Sequence, residues 1–217
     1  MIEVYSHSEV GGHAENEDAF IVEQHPVDGH CWICVLADGQ GGRAGGGRAA
    51  RIAAHAVLDI AKSKPPSFLV DAWEWERMVR HADAEVAKDP VAGFTTLIGF
   101  CVRDDRIVGA SNGDCAVAVS DVMRDCWDMT ANQFKNPPVG SGDARFVTFA
   151  TNLEPPWMIL AMSDGVWKYS RWEKIKDASK NLRGQALVDD LLNSARLMKT
   201  GKLQDDFTIV VLQSEDR

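Results

Sequence analysis

Residues 31–42 read CWICVLADGQGG, an apolar run that stops on Asp38 and dissolves into glycine. Its length and glycine-rich boundary make Cys31–Ala37 a strand and put Asp38 at the strand's end. Working toward the N-terminus, Ala19–Gln24 is a second strand, separated from the first by the turn Pro26–Gly29, and residues 1–8 alternate enough to be another. Toward the C-terminus, Arg48–Ser63 has helical periodicity, with Ala49, Ile52, Ala53, Ala56, Val57 and Ile60 on one face. Lys64-Pro65-Pro66 stops it. Ser67–Lys88 reads as a second helix packed through Trp73, Trp75 and Met78. Two tryptophans two positions apart cannot share a helical face, so one of them is partly exposed.

Strands return at Thr95–Val102 and Ile107–Ser111, joined by Arg103-Asp104-Asp105-Arg106. Asn112-Gly113 predicts a hairpin leading into Cys115–Ser120. Short strands are expected at 124–130 and 145–150, on either side of the loop NQFKNPPVGSGD. Trp157–Met162 is a buried strand. Gly184–Lys199 is a helix turning Leu187, Leu191, Leu192 and Ala195 to the core, and Phe207–Leu212 is a last strand. Runs of strands and runs of helices are segregated, which predicts α+β rather than a βαβ repeat. With 217 residues and no repeat, low-complexity tract or linker, the expectation is one domain, 1–217.

The net charge of -9 argues against nonspecific binding to nucleic acid or acidic membranes. An odd set of five cysteines, mostly inside apolar stretches, predicts buried free thiols in a reducing compartment. The start MIEVYSHSEV lacks the pattern of a secretory signal, and no apolar run reaches membrane-spanning length, so the cytoplasm is the expected location.

Acidic residues recur where apolar runs begin or end: Glu17-Asp18, Asp38, Asp114, Asp164 and Asp205-Asp206. Any one of them is accounted for by the preference of Asp for turns. Together, with glycines beside Asp38, Asp114 and Asp164, they point to carboxylates collected at sheet rims. Antiparallel pairing can bring strand starts and strand ends to one edge. Like charges about 4 Å apart repel by roughly 4 kcal/mol at an effective dielectric of 20. Divalent cations relieve this, and oxygen-only ligands suit Mg²⁺ or Mn²⁺. The residues alone therefore suggest a metal-dependent hydrolase.

The segments NEDAF, ADGQGG, GFTTL, NGDC, MSDGVW and DDFTIVVL, in that order and nearly end to end, resemble the metal-dependent type 2C Ser/Thr protein phosphatases of small bacterial type. The resemblance implies a sandwich of two antiparallel β-sheets flanked by α-helices, with a metal site at one end. It implies Asp38 as the carboxylate bridging two metal ions, with Glu17, Asp18, Asp164, Asp205 and the Gly39 carbonyl as further ligands, partly through water. Asp114 with Asp164 would hold a third, weaker ion, and Thr95-Thr96 would be a structural part of the sheet near the site. The implied reaction is hydrolysis of phosphoserine or phosphothreonine on a protein. In that reaction the carboxylates would hold divalent metal, which would supply acidification of an attacking water and neutralisation of phosphoryl charge. The implied partners are a phosphorylated protein substrate and a cognate Ser/Thr kinase.

The chain departs from the family pattern at four places. His13 stands where the family has an arginine that grips the substrate phosphate, five residues before Asp18. It is assigned both phosphate binding and, with Asp38, a catalytic role; its charge near pH 7 is only partial. Arg43, Arg48 and Lys135 are the candidates to supply the missing charge, Arg43 foremost, against the plainer reading of the two arginines as a solvated helix start. Gln40, where some members have a histidine, cannot donate a proton, which leaves water or His13 to protonate the leaving group. Cys115 and Ala116 replace the usual serine and arginine. The NPPVGSG loop replaces a region that often carries a mobile flap.

Other signals carry less. Cys31 lacks the arginine six positions on that a Cys-dependent phosphatase needs, since Ala37 stands there. Cys31 and Cys34 point to opposite faces of a strand, which argues against a redox pair. GGRAGGGRAA lacks the Lys-Ser/Thr ending of a P-loop. The rival function is a pseudophosphatase that binds a phosphoprotein or kinase without turnover, motivated by the missing arginine and opposed by the full set of carboxylates.

Overall fold

The computed structural model describes residues 1–41 and 44–214. The strands are β1 (Ile2–Glu9), β2 (Asp18–His25), β3 (Asp28–Asp38), β4 (Leu97–Arg103), β5 (Arg106–Asn112), β6 (Ala116–Asp121), β7 (Arg124–Asp128), β8 (Val147–Asn152), β9 (Met158–Met162) and β10 (Phe207–Ser214). The helices are α1 (Gly46–Ser63), α2 (Ala72–Lys88), α3 (Asp164–Ser170), α4 (Trp172–Asn181) and α5 (Gly184–Ala195). They form two compact units, each assembled from separate stretches of chain. No helix among the described residues is long and apolar enough to cross a membrane.

The first unit comprises Glu17–Cys115 and Asn132–Leu153. Its antiparallel sheet runs in the order β2-β3-β4-β5-β8. In β3, Cys31, Ile33, Val35 and Ala37 join the core with α1 and α2, while Cys34 and Leu36 on the opposite face are buried as well. Burial on both faces is why CWICVLA reads as a continuous apolar run rather than an alternating one. The buried stripe of α1 is mostly alanine (Ala49, Ala50, Ala53, Ala54, Ala61) with Val57 and Leu58, and small side chains let the helix approach the sheet closely.

The predicted helix over Ser67–Lys88 is two pieces. A 3₁₀ turn, Pro66–Phe68, is followed by α2, whose N-cap Asp71 accepts a hydrogen bond from the backbone N–H of Trp73 at 2.9 Å. That cap starts the helix afresh. Trp75 is fully buried and donates its indole N–H to Leu69 O at 2.8 Å, whereas Trp73 is 72 % exposed. Trp73 is therefore the exposed member of the pair and not a packing residue.

The second unit comprises Met1–Asn16, Ala116–Ala131 and Glu154–Arg217. Its antiparallel sheet runs β1-β10-β9-β6-β7, and its core joins inward residues of those strands to Val166, Ile175, Leu187, Val188 and Leu191 of the helices. Two of these helices, α3 and α4, lie where the sequence reading assigned no element, so three helices rather than one separate β9 from β10. The last helix ends at Ala195, short of Lys199; beyond it Leu197 N–H bonds Lys202 O in a turn.

The hairpin expected at Asn112-Gly113 does not form. β5 pairs with β4 and β8, and β6 pairs with β7 and β9. Gly113 has φ 119° and gives its N–H to Phe134 O, while the Asn112 amide donates to Pro137 O and Arg145 O. The side-chain N–H groups of Asn112 and the backbone N–H of Gly113 are given to the 132–145 loop instead of to a turn between paired strands.

All five cysteines are free and buried, with Cys31 in the helix-side core and Cys34 outside it, as strand alternation requires. The fold is α+β: two antiparallel five-stranded sheets with five helices among the described residues.

Candidate functional site

In the first unit, Asp18 opens β2 and Asp38 closes β3, and the antiparallel register sets them directly opposite one another. Residues so paired lie side by side on one face of a sheet, and like charges in that position are destabilising. The backbone of Asp38 is held from several sides. Its N–H donates to Thr96 Oγ1 at 2.8 Å, and its carbonyl accepts Thr96 N–H and Thr95 Oγ1–H, each at 2.8 Å. Beyond Asp38 the strand continues as a single bridge between Gly39 and Thr95, with Gln40 N–H donating to Phe94 O at 2.8 Å. Thr95-Thr96 therefore grips the peptide unit that carries Asp38.

Glu17 accepts the Gly39 N–H through its own carbonyl at 3.1 Å. Its carboxylate Oε1 lies 3.1 Å from the point where a Cβ on Gly46 would stand, at the start of α1. That helix has no acidic residue in its first turn, so Glu17 supplies the negative charge its N-terminus favours. A Cβ on Gly39 would stand 2.4 Å from the Gly46 carbonyl carbon. Only glycine permits this approach of strand end to helix start.

Asp114 lies just beyond β5 and directly precedes the buried Cys115. The Cys115 thiol is pushed well above its usual value by burial, then by the carboxylates of Asp38, Asp18 and Asp114, while its hydrogen bond with Thr96 opposes them. Asp38 and Asp18, both far from Cys115 in sequence, thus act on its sulfur. Lys135 Nζ donates to Asp114 Oδ2 at 3.1 Å. Arg48 makes two bonds to Asp89 Oδ2, at 3.0 and 2.6 Å, so its guanidinium is spent on tying α1 to the end of α2. Arg43 lies outside the described residues.

In the second unit, Asp164 is the first residue of α3, where a helix N-terminus favours an acid. Asp164 above all, with Asp205 adding, raises the pKa of Lys168, whose Nζ is 3.5 Å from Asp164 Oδ2. Of the pair Asp205-Asp206, the structure buries Asp206. Its Oδ1 accepts the Gly11 N–H at 2.7 Å and its Oδ2 is 3.5 Å from His13 Nδ1; Asp205 Oδ1 is 3.9 Å from the same nitrogen. His13 therefore faces two carboxylates. The segment is wedged by glycine: a Cβ on Gly11 would stand 1.8 Å from Asp205 O, and one on Gly165 1.9 Å from Asp206 O.

The sequence reading missed Lys168 and, of the adjacent pair, named Asp205 alone as a ligand and gave Asp206 no role, although Asp206 is the buried member that meets Gly11 and His13. Adjacent acids read alike, and only the burial of Asp206 distinguishes them. Among the described residues no three His, Cys, Asp or Glu side chains close into a metal cage by themselves. Mg²⁺ is commonly held by one or two carboxylates with water filling the other positions. The facing Asp18–Asp38 pair, made only of hard oxygen donors, fits such an ion.

Residues 5–196 match the Protein phosphatase 2C family. Solved structures share the fold. The Mycobacterium tuberculosis serine/threonine phosphatase PstP/Ppp is 18% identical at TM-score 0.81, over 99% of each chain. The serine/threonine phosphatase Stp1 from Staphylococcus aureus is 17% identical at TM-score 0.77, over 100% of this chain and 96% of its own. RsbX, solved in complex with magnesium, is 14% identical at TM-score 0.74, over 98% of this chain and 94% of its own. Comparison with curated protein sequences finds no match. The fold is thus one that serine/threonine phosphatases adopt. The chain belongs to the Protein phosphatase 2C family.

Proposed function

We propose that this protein is a Mn²⁺- or Mg²⁺-dependent phosphatase of phosphoserine and phosphothreonine in proteins, acting as a single catalytic domain over residues 1–217. The observation that carries the reading is the register pairing of Asp18 with Asp38, on a peptide unit clamped by two threonines, in a chain of this family. Such a like-charge pair is costly without a cation and useful with one. The magnesium in the RsbX structure supports the choice of metal.

The proposed ligands are Glu17, Asp18, Asp38, the Gly39 carbonyl and Asp114, together with Asp164 and Asp205. Bound divalent metal would supply acidification of water and neutralisation of phosphoryl charge. The chain's own part is orientation. Thr95 and Thr96 fix Asp38, Glu17 rests on the start of α1, and Lys168 stays beside Asp164. Gln40 has no proton to give, so His13 is proposed to move the proton that the leaving group requires. Arg43 and His13 are the proposed phosphate contacts. A phosphorylated protein and its kinase are the proposed partners, and the cytoplasm the proposed location.

The test is hydrolysis of p-nitrophenyl phosphate and of a phosphothreonine peptide with Mn²⁺, with Mg²⁺ and with EDTA, alongside Asp38→Asn. Metal-dependent turnover that vanishes in the variant is the expected result. One observation favours the second reading, a phosphoprotein-binding pseudoenzyme: His13, which stands in place of the phosphate-gripping arginine, faces Asp205 and Asp206. Metal binding without turnover on any substrate would select it.

A further inference from the structure

Asp83 lies on α2, on the stripe that buries Trp75, Val79, Ala82 and Val86, and is itself only 1 % exposed. A carboxylate at a core position must find donors. Asp83 finds them in one loop: Oδ1 accepts Gly140 N–H at 2.6 Å and Gly142 N–H at 3.1 Å, and Oδ2 accepts Ala144 N–H at 3.1 Å. Asn112 braces the same loop at both ends through Pro137 O and Arg145 O, at 3.2 and 2.9 Å.

The loop held this way is not an isolated surface feature. Val139, one residue before the first donor, exchanges both backbone hydrogen bonds with Thr95, at 3.0 and 3.1 Å. Thr95 bridges Gly39 on its other side, and its hydroxyl reaches Asp38 O. A continuous path of hydrogen bonds therefore runs from the Asp83 carboxylate through residues 139–144 to Thr95, and from Thr95 to the peptide carrying Asp38.

We propose that Asp83 is a positioning residue for the carboxylate site. By clamping the 139–144 loop from beneath, it holds Thr95 in the bridge that sets Asp38, and so tunes the affinity of that site for a divalent cation. The loop is then a fixed wall of the site rather than a mobile flap. The inference rests on the reading of Asp38 as a metal ligand.

The test is Mn²⁺ binding by isothermal titration calorimetry to the wild type, Asp83→Ala and Asp83→Asn, with folding confirmed by circular dichroism and Tm recorded. Direct outer partners of metal ligands change affinity by about 10–100-fold; Asp83 acts further out, through the loop and Thr95, so a loss at the lower end, about tenfold, is expected for Asp83→Ala. Asp83→Asn keeps one acceptor oxygen but cannot serve all three donors, so a smaller loss, below about tenfold, is expected. It also preserves the test if the alanine variant does not fold. A merely structural role lowers Tm and leaves the Mn²⁺ affinity of folded protein unchanged, and that result would overturn the inference alone. Wild-type protein that binds no Mn²⁺ would overturn it together with the metal reading.

Discussion

Asp38 and Asp205 look alike in sequence, acids beside an apolar strand, yet the two units position them by different physics. Asp38 belongs to a strand, and its peptide is fixed by directed hydrogen bonds from Thr95 and Thr96. Asp205 precedes its strand, and its backbone is fixed by shape, pressed against Gly11 and followed by Asp206 pressed against Gly165. A site held by hydrogen bonds yields gradually as bonds are removed. A site held by close backbone contact loses stability with a single added atom.

The largest effect expected is that of Asp38→Asn, which removes a proposed ligand itself. Removing an outer partner already costs about 10–100-fold, so loss of the inner carboxylate is expected to cost at least about 100-fold in kcat. Steady-state assay at saturating Mn²⁺ checks it, and wild-type turnover would remove Asp38 from the site. Next comes Gly165→Ala, whose new methyl would meet a backbone oxygen at 1.9 Å. The expected loss is about 3 kcal/mol, the upper end for overpacking, because backbone cannot swing aside. Urea denaturation measures it.

Thr96→Val is the matching test on the other unit. It keeps the shape but strips the acceptor of the Asp38 N–H, for an expected loss of about 1–2 kcal/mol. If Thr96→Val proved as damaging as Gly165→Ala in the same urea experiment, the contrast between bonded and wedged positioning would fail. The smallest effect is expected of His13→Arg. Arginine is permanently charged and forks two donors toward phosphate, so KM for a phosphopeptide should fall a few-fold with kcat little changed. An unchanged KM would mean that Asp205 and Asp206 capture the guanidinium, or that phosphate is anchored elsewhere.

Much of the first unit was legible because its strands and helices are local patterns. The strand Cys31–Ala37, the helix after the glycines and the acid at the strand end all follow from periodicity and turn chemistry. The opposition of Asp18 and Asp38 was anticipated only as a tendency of antiparallel strands; their residue-by-residue register needed the structure. The sequence misled at Asn112-Gly113, where a dipeptide typical of hairpins instead links two strands that do not pair, because its donors are taken by a distant loop. It was silent over α3 and α4. These are short helices, 7 and 10 residues long, whose apolar residues pack against their own unit's core instead of forming a long stripe.

Asp83 shows what lies in between. An acid on the buried stripe of an amphipathic helix is visible in sequence as an anomaly, but nothing there names its partners. They are three backbone N–H groups about 60 residues away, and backbone donors look the same at every position.

By itself, then, the sequence determined the kinds of element, the class of fold, and which carboxylates stand at the ends of apolar runs. These depend on residue type and spacing within one segment. Only the tertiary structure decided which acids face one another, that Asp206 rather than Asp205 is buried, that Trp73 rather than Trp75 is exposed, and that a loop bridges Thr95. Those outcomes depend on strand register and on which distant backbone groups fill the available hydrogen bonds, and neither is written in any single stretch of chain.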